Sequence, residues 1–274
     1  MEKTLPTYPF YITLNFHFWG GSFDGVVPFE LINKGKVKKI SSWQSGWGIS
    51  YDPVLGFSRQ LRHLRNSIKE VSALNVYLKK HCVNSILEVA AYLYNRNNRI
   101  HRLNFPHDVI TLFDAYHIDL SLDYYFDSFD SCDPDNPYVD SEFFEGRVGT
   151  IVKVCYSFVG TKEQYDELKN DQQIPRCKLR YVNGRLKILF SFSDVKNIDG
   201  SLFNDFIRYF FRKSESEENG GIFPLKCLSV SVTCYLGKYK DPFFDIPHLF
   251  WHFLNKNNGK LIILLIEPKD GVQK

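Results

Sequence analysis

Two stretches of this chain follow one local plan. FPHDVITLFDAYHIDLSLDYYF runs from Phe105 to Phe126, and IPHLFWHFLNKNNGKLIILLIE runs from Ile246 to Glu267, 141 positions later. Each reads as an apolar residue, Pro-His, an amphipathic helical stretch and a strand. Pro106 and Pro247 suit the first helical position, where the missing N–H would have no partner anyway. Val109, Leu112, Phe113 and Tyr116 make one apolar face, as do Leu249, Phe250, Phe253 and Leu254 in the second stretch. A chain of 274 residues has room for two domains of ordinary size. The recurrence therefore predicts two copies of one domain.

The rest of each half fits that expectation. Ile12, Leu14, Phe16 and Phe18 alternate with Thr13, Asn15, His17 and Trp19, and Val152, Val154, Tyr156 and Phe158 alternate with Lys153, Cys155 and Ser157. Period two is the mark of a half-buried strand. A short helix follows in each half, over Val27 to Asn33 and over Thr161 to Asn170, the latter with Thr161 as N-cap. A hairpin comes next. In RYVNGRLKILFSF the Asn183-Gly184 pair accepts the positive φ that a tight turn needs, and the first half turns near Ser45-Gly46. Leu61, Leu64, Ile68 and Val71 then mark one helix, and Leu202, Phe206, Ile207 and Phe210 its counterpart. Alternating strands follow at Leu87, Val89, Ala91, Leu93 and at Leu228, Val230, Val232, Cys234. The fold class this predicts is α+β: two tandem β-α-β-β-α-β-α-β domains, residues 1–126 and 147–274, each a mostly antiparallel sheet with helices on one face. Residues 127–146 are expected to link them.

The first half, over about residues 10–126, resembles a bacterial domain family of unknown function. The shared features are a leading strand (ITLNFHFWG), a Gly-Trp-x-x-Ser element (SGWGIS, Ser45 to Ser50), a long helix (FSRQLRHLRNSI) and the closing Pro-His unit. The second half departs from the pattern, since nothing like Trp47-Gly48-Ile49-Ser50 follows its Asn-Gly turn. The family brings no established catalytic residues. Its members accompany toxin and immunity genes, so the resemblance implies an immunity role.

Charge is distributed unevenly. Phe126 to Gly146 holds Asp127, Asp130, Asp133, Asp135, Asp140, Glu142 and Glu145 with no Lys or Arg. Taking these seven negative charges out of the formal total of +3 leaves +10 on the remainder. The segment reads as a solvated linker with Asp-Pro and Asn-Pro turns, as a cation site, or as a docking surface for a basic partner. Asp133-x-Asp135 lacks the glycine and distal glutamate of a calcium loop. For docking, Phe129, Tyr138, Phe143 and Phe144 would anchor among the charges. On the other side of the balance, Arg59, Arg62, Arg65 and Lys69, with Lys79 and Lys80 beyond, could meet phosphates or form a helix's solvent face.

No Gly-x-Ser-x-Gly, phosphate loop, dinucleotide fingerprint or zinc motif is present. Asp119 and Asp123 with Ser121, and His17 with Asn15, read as the wet faces of strands or, alternatively, as acid–base groups. His248 and His252 share a helix face but lack a third ligand. Trp43 and Trp47 pin a hairpin or form a stacking platform. The six cysteines show no Cys-x-x-Cys pair. With no signal peptide evident, they are expected to be reduced thiols in the cytoplasm, and the apolar run Leu261 to Ile266 is too short to span a bilayer. The expectation is a cytoplasmic, non-enzymatic immunity protein without metal or cofactor. It would neutralise a basic toxin domain, such as a nuclease, by occluding its active surface through the acidic segment. The alternatives are a nucleic-acid-associated module using the basic helix, or an enzyme with a site between the domains.

Overall fold

A computed structural model describes residues 10–20, 26–52, 57–81, 83–93, 100–126, 150–193, 195, 197–198, 200–215, 225–235 and 243–266. The strands are β1 (Phe10–Trp19), β2 (Lys39–Trp43), β3 (Gly46–Ser50), β4 (Asn84–Leu93), β5 (Ile100–Phe105), β6 (Asp119–Phe126), β7 (Ile151–Val159), β8 (Lys178–Val182), β9 (Arg185–Phe192), β10 (Asn197–Ile198), β11 (Ser229–Tyr235), β12 (Phe243–Ile246) and β13 (Lys260–Ile266). The α-helices are α1 (Phe57–Ser67), α2 (Val71–Lys80), α3 (His107–Ala115), α4 (Lys162–Asn170), α5 (Ser201–Glu215) and α6 (His248–Lys256). The fold is α+β: two mixed, mostly antiparallel sheets with helices on one side.

The sheets have the strand orders β10-β12-β6-β4-β1-β3-β2 and β5-β13-β11-β7-β9-β8. Within them, β6-β4-β1-β3-β2 and β13-β11-β7-β9-β8 have the same pairing sense. β4 and β6 are parallel, β11 and β13 are parallel, and the other neighbours in these runs are antiparallel. The flanking strands are exchanged: β5 leaves the first half to pair with β13, and β12 leaves the second to pair with β6. A cut at 126/147 therefore divides the chain but not the sheets.

Period two shows directly in burial. Phe16 and Phe18 on β1, and Val152, Val154, Tyr156 and Phe158 on β7, are fully buried. The α3 and α6 helices pack on each other. Trp251 of α6 lies with its ring centroid 5.0 Å from Phe113 of α3 and 5.7 Å from Phe105 of β5. Burial of such large apolar groups is the main stabilising term at this junction.

Several expectations are corrected. Over Val27–Asn33 the chain forms no α-helix but 3-10 turns at Phe29–Leu31 and Lys34–Lys36. Here the backbone reaches sideways: Asn33 N donates to Ser67 O and Lys69 N to Leu31 O, and Ile32 bridges Ile68. Those bonds use the groups that would continue the expected long helix, so it divides into α1 and α2. Pro106 and Pro247 stand one residue ahead of the first helical position, with extended backbone. In α6 the buried residues include Trp251, whereas Leu249 is 42% exposed. The strands β5, β10 and β12 had no counterpart in the sequence reading.

Candidate functional site

The densest cluster of titratable groups lies where α3 meets α6. The α3 stripe Val109-Leu112-Phe113 points inward and leaves Asp114 at the junction's rim. Asn255 Nδ2 donates to Asp114 Oδ2 at 2.7 Å, and His248 Nε2 and His252 Nδ1 each lie 3.1 Å from Asp114 Oδ1. Thr111 Oγ1 donates to Asn255 Oδ1 at 2.9 Å. Burial works to raise the Asp114 carboxyl, but the Asn255 bond, the His252 charge and the two histidine bonds outweigh it and hold the pKa below the ordinary value. His117, just past α3, has φ 53° and faces His248 with Nδ1 to Nδ1 at 3.3 Å. Burial first, then His248, lowers the His117 pKa. Beside His117 is a cavity of about 350 Å³ lined by Asn75, Leu78, Lys79, Asn84, Ser85 and Tyr116 among others.

A carboxylate orienting imidazoles is one part of acid–base catalysis, but it needs a reacting partner within hydrogen-bond reach. The Asp114 carboxylate meets His248, His252 and Asn255 of α6, and Asp119 Oδ1 of β6 accepts from His248 N at 3.0 Å, capping that helix. The cluster thus fastens the first half to the second. Among the described residues no group of three or more His, Cys, Asp or Glu is arranged to hold a metal ion. The sequence named His248, His252 and Asp119 separately. The long-range partner Asp114, 134 positions from His248, carried no local signal.

The other sequence candidates are dispersed. His17 Nε2 is 3.1 Å from Glu88 Oε2, and the histidine bond, foremost, depresses the glutamate pKa. Trp47 is buried and stacked on Phe18 with centroids 4.0 Å apart. Trp43 stands on the opposite face, 37% exposed and 5.5 Å from the His17 ring. The two tryptophans do not form one platform. Arg59, Arg62 and Lys69 are exposed, and Arg65 is paired with Asp108 at 2.7 Å. The described cysteines, Cys155, Cys177, Cys227 and Cys234, are free. Asp127, Phe129, Asp130, Asp133, Asp135, Tyr138, Asp140, Glu142, Phe143, Phe144 and Glu145 lie outside the described residues, as does the Asp123 side chain.

The sheet faces away from the core sort by charge, which the sequence reading missed. On the first sheet the register aligns Lys39, Ser50, Asn15, Glu88, Ser121 and Asp245 across the strands. Asp119 shares that face. On the second, the outward positions include Arg102, Lys153, Lys178, Arg180, Arg185, Lys187 and Lys260, and among the described strand residues no carboxylate shares that face. Reading i, i+2 positions on paired strands would have found this pattern, had the pairing been known.

The chain matches no known protein-family model, and comparison with curated proteins gives no match.

Proposed function

We propose that this protein is a non-catalytic binding protein that neutralises a basic toxin domain, such as a nuclease effector, by covering its active surface, and that its two halves are diverged copies of one fold. The observation carrying the reading is continuity of negative charge. Among the described residues the first sheet's outward face bears Glu88, Asp119 and Asp245 against Lys39, with His17 beside Glu88. Its strand β6 leads directly into the seven carboxylates of residues 127–145. An acidic face followed in sequence by an acidic segment would draw in a cationic partner through long-range attraction. Such attraction mainly raises the association rate and is weakened by salt. Asp119 is engaged in capping α6 and Glu88 in the contact with His17, so the seven carboxylates of the following segment supply most of the charge offered to a partner.

The test is affinity capture from the source cell, followed by association kinetics with the purified partner. The expected partner is basic. Replacing Asp127, Asp130, Asp133 and Asp135 by Asn should lower its association rate about tenfold at low salt, with the two proteins converging at high salt. Parental association and protection by the variant at low salt would refute the reading.

A further inference from the structure

The cations of the second sheet's outward face stand in a defined array. Arg180 of β8 and Lys187 of β9 are register partners, and Lys178 lies two residues along the same strand. Partners on neighbouring strands are about 5 Å apart and alternate residues about 7 Å. Three exposed positive charges are therefore held together, and among the described residues of the paired strands no carboxylate stands beside them on the face. At the far edge Arg102 of β5 and Lys260 of β13 are also exposed. Between the two basic edges the register sets Ser157 beside Ser229, Cys155 beside Ser231 and Lys153 beside Thr233. Like charges so placed repel one another in the isolated protein, and an arriving polyanion relieves that repulsion.

Composition decides which polyanion. Lys and Ser are depleted in protein–protein interfaces, whose cores favour aromatics, Met and Arg. Arg, Lys, Ser and Thr are the side chains that contact phosphate and sugar oxygens. Shape decides the form of the strand. A sheet face of six strands, about 24 Å across, is a broad surface rather than a helix or two-stranded ribbon that enters a duplex groove. Tyr235 is 38% exposed on this face, with Lys153 Nζ 4.7 Å from its ring centroid. An exposed aromatic beside cations is the arrangement on which unpaired bases stack.

We propose that the outward face of the second sheet binds single-stranded nucleic acid, with phosphates on the Lys178, Arg180 and Lys187 group and a base on Tyr235. This surface is separate from the acidic one, and the proposal does not depend on the neutralising role. The test is fluorescence anisotropy of the full chain with a labelled oligothymidylate and an oligouridylate of about 12 nucleotides, within the usual site sizes. Binding should weaken roughly 20- to 50-fold between about 50 and 200 mM salt, the dependence of three to four phosphate contacts on a single strand. The triple variant Lys178→Glu, Arg180→Glu, Lys187→Glu should bind at least about tenfold more weakly while melting as the parent does. If charge reversal lowers the melting midpoint, the corresponding triple Gln variant replaces it with the same expected direction. The Asp127, Asp130, Asp133 and Asp135 to Asn variant should retain parental oligonucleotide affinity. Absence of salt-sensitive binding by the parent, or parental affinity in the folded triple variant, overturns the proposal. Displacement of the oligonucleotide by polyglutamate at equal charge concentration would reassign the face to an acidic protein.

Discussion

At the scale of single residues, His117 combines two unfavourable features. Its backbone is left-handed, a conformation that costs an L-residue energy and that achiral glycine adopts freely. Its imidazole also faces that of His248. Burial and His248 lower its pKa, so the unfolded chain takes up the proton more readily than the folded one. Its contribution to stability is therefore present at neutral and higher pH and declines as pH falls below about 6.5. Asp114, also lowered, adds a second loss in the same direction when acid reaches its folded pKa. Urea midpoints measured from about pH 8 to 5.5 should fall on acidification, with a smaller fall in His117→Gly. That variant should also be no less stable at pH 8, because glycine relieves the backbone. A pH profile unchanged by the substitution would remove His117 from the account.

At the scale of elements, local rules succeeded where the partner was local. Asn183 (φ 51°) and Gly184 (φ 70°) make the expected tight turn between β8 and β9. Thr161 caps α4 in a reciprocal box with Gln164, whose side chain accepts from Thr161 N. Removing the cap with Thr161→Ala should cost about 0.5–2 kcal/mol in chemical denaturation without changing the fold. A change near zero would show the helix is held by Leu168 and Tyr165 packing instead. The SGWGIS element also acquires a reason. A Cβ on Gly46 would overlap the Phe18 carbonyl oxygen and crowd Trp19, where β3 pairs with β1. Legibility ended where the partner was distant. In IHRLNF the alternation is brief, Leu103 and Phe105 buried beside exposed Arg102 and Asn104, and nothing local marks the pairing of β5 with a strand more than 150 positions away; β12 likewise closes on β6. The seam cluster was hidden for the same reason, since Asp114 meets His248, His252 and Asn255 only through tertiary packing.

At the scale of the whole molecule, the 141-residue spacing extends to backbone bonds. Ile118 N donates to Phe113 O and Gly259 N to Leu254 O, closing α3 and α6 alike, and His117 and Asn258 both have positive φ. Correspondence of this kind usually invites the view that each half folds alone. The exchanged strands argue the opposite. Without β5 the second sheet ends at β13, whose apolar residues Leu261, Ile263 and Leu265 are fully buried in the intact chain. Without β12 the first sheet ends at β6, and Asp119 has no helix to cap. Separation would also expose Trp251, Phe113 and Phe105, large apolar side chains whose burial is worth on the order of 1.5–3 kcal/mol each. Open sheet edges and bared aromatics favour aggregation. Residues 1–126 and 147–274 produced separately should therefore show low solubility or non-cooperative melting. Produced together, they should associate into a complex with one cooperative transition. Two soluble fragments, each melting cooperatively alone, would show that the exchange is incidental to stability. Should the fragments require each other, the acidic and basic faces belong to one cooperative unit, and destabilising either sheet would impair both surfaces.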